Sequence, residues 1–270
     1  MAVISALNVY PVKGCKGITV PEVELAETGL RFDRHWVVID EDGRFVTQRE
    51  LPRMALISTQ LDGEALVLNA PEMEPLVLPV LQIGERVSVT VWRDRCFGFD
   101  QGMAAAAWFS AFLARPLRLV RFDTSARRGS DATFTDGVPA WTEFSDGFAI
   151  LVISEASLAD LNARLDQPLP LNRFRPNVVI TDVGAYDEDH LRALVADEVE
   201  LRLVKPCTRC QVTTTDQDTG LRSLEPLRTL GFYRMNPALG GVTFGQNAII
   251  ARGAGKKLRV GQTLEEVWNF

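Results

Sequence analysis

The chain has few of the side chains from which many enzymes build their sites, since its 270 residues include only four cysteines and two histidines. His35 lies beside Trp36, where a structural role is expected, and His190 ends the acidic stretch 187–190. Two such histidines do not combine convincingly into a Ser-His-Asp triad. Four cysteines in a chain of this length indicate a reducing compartment rather than a disulfide framework.

Basic charge is also in short supply. Lys and Arg number 29 against 35 Asp and Glu, which gives a net charge of −6 and a pI near 5.1. A chain with this balance is not expected to bind nucleic acid or a charged membrane surface.

Long apolar runs and targeting segments are missing as well. The most apolar run, 103–114, has 12 residues, too few for a helix that crosses a hydrocarbon core of about 30 Å. The N-terminus has no basic region and reaches Pro11 without a small-residue cleavage site. We therefore expect no membrane partner and a cytoplasmic protein.

Motifs for nucleotide and sugar chemistry are absent too. There is no G-x-x-x-x-G-K-S/T loop and no G-x-G-x-x-G opening a helix, which disfavours nucleotide-binding folds. Paired acids such as Glu265 and Glu266 are interpreted as surface charge, so glycosidase chemistry has no specific support.

What the sequence does contain is a succession of short strand patterns, in which β-branched and aromatic residues recur between turn signals. Strands are predicted over 3–9, 54–60, 65–68, 86–92, 117–122, 148–153, 177–181, 199–204, 242–251 and 258–260, and a hairpin over 37–48 with its turn at Asp42-Gly43. Helices are predicted over 103–114, 154–165, 188–194 and 225–233. No βαβ alternation is visible, so the predicted class is mainly β, rich in β-barrel, with a few short helices.

Two domains are predicted, 1–120 and 121–270, each large enough to bury a core. The polar stretch 124–141 follows the boundary and is rich in turn formers. It is interpreted as a linker or mobile loop near the site entrance.

The sharpest local feature is a Cys-x-x-Cys pair, Cys207 and Cys210, with Lys205 and Arg209 beside it. Thiolates bind soft or borderline metals, and nearby cations favour the thiolate form. Structural zinc would need two further ligands, and a thioredoxin-type dithiol would need a βαβ context. Two unreactive, partly buried cysteines are the third interpretation.

Basic residues beside turns form a second feature of this acidic chain. Lys13 and Lys16 lie on a loop flanked by glycines, and Arg34, Arg173 and Arg175 lie next to aromatic residues. Such loops offer N–H groups and cations to a phosphate. The alternatives are solvated lysines on an exposed turn and ion pairs at the edge of the core.

Seven segments then occur in the order seen in MOSC-domain molybdenum-cofactor proteins, over about residues 3–264. They are YPVKGCKG (10–17), FDRHW (32–36), FVTQR with PRMALI (45–57), ISEASLADLN (153–162), NRFRPN (172–177), KPCTRC (205–210) and FGQN (244–247). The chain most resembles the branch that contains the mitochondrial amidoxime reducing component and its bacterial counterparts. This resemblance implies a MOSC N-terminal β-barrel domain, a MOSC β-barrel domain and a molybdenum cofactor (Mo-molybdopterin) held between them.

The resemblance also implies which residues form the site. Cys210 falls on the position whose thiolate binds molybdenum, and Cys207 does not. The cofactor-binding positions it implies are Lys13, Gly14, Arg34, Gly147, Phe148, Arg175, Asn177, Thr208, Cys210 and Asn247. At Gly14 many relatives carry serine, so a backbone N–H has to replace one side-chain donor here.

The function implied is that of an oxidoreductase, which reduces N-hydroxylated compounds or related N-oxides and S-oxides at a mononuclear molybdenum. Its partners would be a small-molecule substrate and a separate electron donor, such as a ferredoxin, a flavodoxin or a cytochrome b5 with a reductase. No C-x₄-C-x₂-C cluster motif of a fused ferredoxin occurs among the 270 residues. Two alternatives stay open: a non-catalytic carrier of molybdenum cofactor or of a persulfide on Cys210, and a structural β-protein with an inert Cys-x-x-Cys.

Overall fold

The computed structural model describes residues 1–269 and consists mainly of β-strands. In chain order the strands are β1 (Ala2–Val9), β2 (Ile18–Val20), β3 (Glu22–Ala26), β4 (Gly29–Leu30), β5 (Trp36–Ile39), β6 (Ser58–Asp62), β7 (Ala65–Asn69), β8 (Leu76–Pro79), β9 (Arg86–Val91), β10 (Asp94–Asp100), β11 (Arg118–Phe122), β12 (Arg128–Gly129), β13 (Trp141–Thr142), β14 (Ile150–Ser154), β15 (Val178–Thr181), β16 (Leu191–Ala196), β17 (Val199–Thr208), β18 (Met235–Asn236), β19 (Gly241–Arg252), β20 (Lys257–Arg259) and β21 (Thr263–Trp268). The α-helices are α1 (Met103–Leu113), α2 (Glu155–Asn162) and α3 (Leu227–Tyr233). Short 3₁₀ helices cover Pro52–Leu56, Ala132–Phe134, Leu171–Arg173, Asp187–Asp189 and Gln211–Thr214.

Seven strands form a closed barrel in the order β14-β15-β1-β21-β16-β17-β19, and pairing of β14 with β19 closes it. Its interior is filled by apolar side chains that alternate along the strands, among them Ile4, Leu7, Val152, Ile180 and Leu201. Closure leaves these strands without a free edge.

A second unit is built from the sheet β5-β11-β10-β9 and the meander β6-β7-β8. Helix α1 is apolar nearly all round and packs Trp108, Phe109 and Phe112 into the core of this unit. The opposite face of α1, which carries Met103 and three alanines, is exposed, so the helix is held by the aromatic face that it buries.

Strand β1 pairs with two strands from the C-terminal half of the chain. β1 lies between β15 and β21 in the barrel, and its Val3 is opposite Thr181 on one side and Thr263 on the other. The mainly β class and the two β-barrel-type units are confirmed. The boundary near residue 120 stays a prediction.

Three helix predictions are confirmed with shorter bounds, as α1, α2 and α3. The helix over 188–194 is wrong, because only Asp187–Asp189 is helical and β16 starts at Leu191. Residues of β16 are drawn into the barrel between β17 and β21, so sheet pairing overrides the local helical pattern.

Two strand expectations also need correction. The first half of 54–60 forms the 3₁₀ helix Pro52–Leu56, because Pro52 lies at its first turn. In the hairpin over 37–48 the turn is present, but the second arm makes only an isolated bridge, Ile39 to Phe45. One βαβ unit exists, since β14 and β15 are parallel and α2 lies between them in the chain.

Across residues 1–269, none of the helices has the length and apolar character needed to span a membrane.

Candidate active site

A cleft of about 310 Å³ lies between the loops of the N-terminal unit and one end of the barrel. All ten residues that the sequence predicts for the site line it: Lys13, Gly14, Arg34, Gly147, Phe148, Arg175, Asn177, Thr208, Cys210 and Asn247. They come from the loops that follow β1, precede β5, β14 and β15, and follow β17, together with the end of β17 and with β19. The structure therefore brings the whole predicted set together, while the role of each residue stays a prediction.

The Tyr10 ring is the centre of a cationic wall in this cleft. The guanidinium carbons of Arg34 and Arg175 lie 4.4 and 4.3 Å from the ring centroid. Arg34 and Arg175 both have a positive φ, at 51° and 57°, a conformation that non-glycine residues rarely adopt and that often marks functional sites. Burial raises the pKa of Tyr10 to about 12, so the tyrosine stays neutral and adds no negative charge between the two guanidinium groups.

Arg175 has a free hydrogen-bond donor inside this wall. Its Nη2 atom is buried, and no acceptor lies within reach among residues 1–269. Burial lowers the pKa of Arg175 to about 10, which leaves the guanidinium charged at neutral pH. A buried, charged and unpaired donor is costly, and an anionic ligand in the cleft would satisfy it.

Asn177 fixes the position of Arg34. The Nη1 atom of Arg34 forms an ion pair with Asp33 and donates to Oδ1 of Asn177 over 2.9 Å. The same Oδ1 accepts from the backbone N–H of Leu151, and Nδ2 donates to the carbonyl of Asn8, each over 3.1 Å. The Asn177 amide therefore joins β1 to β14 and holds the Arg34 guanidinium in place.

Lys13 provides a third cation in the cleft. Its Nζ atom donates to Asp146 Oδ1 over 2.7 Å, and Trp92 Nε1 donates to the same oxygen over 2.9 Å. Burial lowers the pKa of Lys13, and the contact with Asp146 partly opposes that shift. Desolvation acts to raise the pKa of Asp146, but the charge and hydrogen bond of Lys13 outweigh it and hold this pKa below its ordinary value.

Cys210 lies where β17 leaves the barrel and the 3₁₀ helix Gln211–Thr214 begins. Its carbonyl accepts from both the N–H and the Oγ1 of Thr213, over 3.1 and 2.9 Å, which fixes the backbone that carries the thiol. Cys207 has a different environment, because Arg209 Nη1 donates to its Sγ over 2.9 Å. All four cysteines are free thiols, so Cys207 and Cys210 do not form a disulfide.

The remaining predicted residues complete the cleft walls. Gly14 has a φ of +88°, and its carbonyl accepts from Gln48 Nε2 over 2.7 Å. Phe148 packs edge-to-face against Phe134, with the ring centroids 6.3 Å apart. Asn247 Nδ2 donates to the Lys205 carbonyl over 3.3 Å, and Thr208 lies exposed at the end of β17.

Three residues of this region were missed by reasoning from the sequence. Trp92 is half-exposed with a φ of +56° at the turn between β9 and β10, and the Arg49 guanidinium stacks 4.6 Å from its ring. A tryptophan in a tight turn is the sequence signal that could have indicated this part of the cleft wall, because large apolar side chains are usually buried. Arg128 lies within the stretch interpreted as a linker, yet it is buried and its Nη1 donates to the carbonyls of Glu143 and Ser145.

The donor set of the cleft fits a molybdopterin cofactor. Three cations, one of them with an unsatisfied buried N–H, suit a phosphate-bearing anion, and a cysteine thiol suits a metal that already carries sulfur ligands. Among residues 1–269, no group of three or more His, Cys, Asp or Glu side chains is placed to hold a metal ion.

A closed barrel, a second β unit and a cationic cleft lined by two free thiols are the features of a protein suited to bind an anionic ligand beside a cysteine. Residues 1–116 match the model of the MOSC N-terminal beta barrel domain, and residues 139–265 match that of the MOSC domain. The chain belongs to the MOSC-domain family, in the branch of the amidoxime reducing components.

Similar proteins of this branch cover most of the chain. Mitochondrial amidoxime reducing component 2 of Bos taurus is 39% identical over 242 residues, which are 86% of this chain and 72% of the relative. Mitochondrial amidoxime-reducing component 1 of Homo sapiens is 41% identical over 244 residues, with the same two coverages. The component 1 protein of Danio rerio is 36% identical over 245 residues, covering 87% of this chain and 75% of the relative.

Proposed function

We propose that this protein is a molybdenum-cofactor-dependent reductase of N-hydroxylated compounds. The observation that carries the proposal is the convergence of Arg34, Arg175 and Lys13 with the Cys210 thiol in one cleft. Relatives whose names state amidoxime reduction support the reaction class.

The residues that would hold the cofactor follow from their chemistry. Lys13, Arg34 and Arg175 would bind its anionic groups, and Asn177 would keep Arg34 in place. The Cys210 thiolate would be the protein ligand of the metal, with Thr208 and Asn247 beside it. When bound, the cofactor supplies a metal that exchanges two electrons and an oxygen atom with the substrate.

Reduction of R–NH–OH to R–NH₂ takes up two electrons and two protons and releases water. Asp146 has a lowered pKa and is ionised at neutral pH, so it has no proton to give. Neither His35 nor His190 lines the cleft. The Asp146 side chain is 73% exposed, and we assign proton delivery to the water that reaches the cleft there.

We further propose that a separate redox protein supplies the electrons and that the protein resides in the cytoplasm. Four free cysteines support a reducing compartment. The names of the relatives place those proteins in mitochondria, so microscopy of a tagged full-length chain is the test of location.

The first experiment measures the cofactor itself. Wild type, Cys210→Ala and Cys207→Ala are expressed in a host that makes molybdenum cofactor, and molybdenum and released pterin per chain are determined. Wild type and Cys207→Ala are expected to hold near-stoichiometric metal and pterin and to reduce an amidoxime with dithionite as electron source. Cys210→Ala is expected to lose metal and activity, because it removes the only protein ligand proposed.

The controls separate this function from its alternatives. Cys207→Ala changes a thiol in the same cleft, so equal metal loss in both variants would contradict a specific role of Cys210. A persulfide on Cys210 in mass spectra, without stoichiometric molybdenum, would favour a sulfur or cofactor carrier.

A further inference from the structure

An exposed apolar patch lies on the chain segment that follows Cys210. Leu221, Leu224, Phe232 and Met235 are 71, 69, 86 and 56% exposed. They fall within 15 consecutive residues. A second run of exposed apolar side chains, Val77, Leu81 and Ile83, lies on and after β8, but none of these three residues lines the cleft. A cluster of this kind marks an interaction surface more often than a single exposed leucine does.

Part of the patch lies on helix α3. The N–H of Arg228 donates to the carbonyl of Leu224, and α3 continues the helix to Tyr233. Residues four apart lie on the same side of a helix, so Arg228 and Phe232 share one side of α3, and Leu224 lies in the bend just before the helix.

This patch is joined directly to the wall of the cleft. Thr215 pairs with Arg222 in an isolated bridge, and Ser223 N–H donates to the Thr214 carbonyl over 3.1 Å, just after the 3₁₀ helix that begins beside Cys210. The Arg222 guanidinium also donates to the backbone carbonyls of Gln48 and Arg49, both of which line the cleft.

The charge around the patch is positive although the whole chain is acidic. The three carboxylates of this segment are each neutralised, since Asp216 pairs with Arg173, Asp218 with Lys16 and Glu225 with Arg228. Arg222 and Arg49 are exposed, and within the described part of the chain neither has a carboxylate within 4.0 Å. The exposed apolar side chains therefore have two unpaired cations near them, Arg222 in the same segment and Arg49 on the cleft wall that Arg222 contacts.

We propose that this patch is the docking surface for the electron donor, a small one-electron carrier protein with acidic residues around its redox group. The inference rests on the proposed function, because that reaction takes two electrons, delivered in two encounters, along with two protons. A small apolar centre with a charged rim suits a partner that binds briefly and is steered by its charge. Because this segment pairs with the residues just after the 3₁₀ helix that begins next to Cys210, a partner bound there would lie next to the wall of the cleft.

The test compares two electron sources on the cofactor-loaded enzyme with an amidoxime as substrate. Dithionite needs no docking surface, whereas reduced plant-type ferredoxin, flavodoxin and cytochrome b5 each do. The variants are Leu224→Ser/Phe232→Ser and Arg228→Glu, and the matched controls are Met103→Ser, an 84% exposed residue on α1, and Arg192→Glu, an exposed arginine on β16.

We expect the apolar double variant to lower kcat/KM for the accepted carrier by about tenfold or more, as loss of an interface centre does. Arg228→Glu is expected to lower it too and to weaken its dependence on ionic strength. Activity with dithionite and both control variants are expected to match wild type, because all these side chains are exposed.

Three results would overturn the inference. The first is carrier kinetics unchanged in both patch variants, and the second is turnover of wild type with dithionite but with none of the three carriers. The third is a wild-type dimer in sedimentation that the double variant dissociates, since the patch would then bind a second copy. Failure of wild type with dithionite despite full cofactor loading would instead refute the proposed function.

Discussion

Gly14 occupies a position where a side chain is costly. Its φ is +88°, and an added Cβ atom would lie 2.8 Å from the Cε atom of Met54. Gly14→Ser is expected to lower the free energy of unfolding by about 1–2 kcal/mol. Urea unfolding of the cofactor-free chain measures this change.

Gly147 is the matched control within the same cleft. Its φ is not positive, and an added Cβ atom would meet no heavy atom within 4 Å, so Gly147→Ser is expected to change stability by less than about 0.5 kcal/mol. Equal stability of the two variants would show that the Gly14 loop relaxes without strain.

Single residues were predictable here where a local motif surrounds them. Cys210 and Lys13 belong to short motifs of the family, and the structure places both in the cleft. Asp146 was not predictable as a partner of Lys13, because the two are 133 residues apart and no local pattern joins them. The partners of a long polar side chain depend on tertiary packing. For the same reason, Arg128 was assigned to a mobile stretch although it is buried.

At the scale of elements, the segment 143–147 is held in place by Arg128. Besides the carbonyls of Glu143 and Ser145, its guanidinium donates to the Asp146 carbonyl and pairs with Asp94. Arg128→Met is expected to lower the free energy of unfolding by about 2–3 kcal/mol, because several charge-assisted hydrogen bonds are lost. It should also speed hydrogen exchange over 143–148.

The neighbouring arginine provides the comparison. Arg127 forms an exposed ion pair with Glu27, and pairs of this kind contribute little. Arg127→Met is therefore expected to leave both the urea midpoint and the exchange rates near those of wild type. A similar loss in both variants would mean that the 143–147 segment is not held by Arg128 specifically.

Elements with a strong intrinsic pattern were predictable, and those decided by their neighbours were not. The apolar helix α1 was found because its composition and its stop before Pro116 are local features. Strand β16 was predicted as a helix, since its short apolar pattern fits both the helical period and the strand period. Its strand conformation follows from pairing with β17 and β21.

For the whole molecule, the barrel depends on its first strand. The core residues Ile4 and Leu7 of β1 are fully buried, and both neighbouring strands would be left with an open edge without it. We expect the segment 121–270 not to fold when expressed alone, as followed by far-UV circular dichroism and NMR dispersion. Adding a peptide of residues 1–26 is expected to restore structure.

A well-dispersed spectrum of 121–270 alone would contradict this dependence and favour two independent domains. The sequence patterns predicted that β1 is a strand but not where it pairs, because its partners near residues 180 and 264 are set by long-range closure of the barrel.

During synthesis, β1 leaves the ribosome more than 250 residues before its partner β21. The barrel cannot close, and the cleft between its end and the N-terminal loops cannot take shape, until that last strand has emerged. Such non-local closure makes folding slow and exposes apolar strands for longer. Loading of the proposed cofactor would therefore follow completion of the chain.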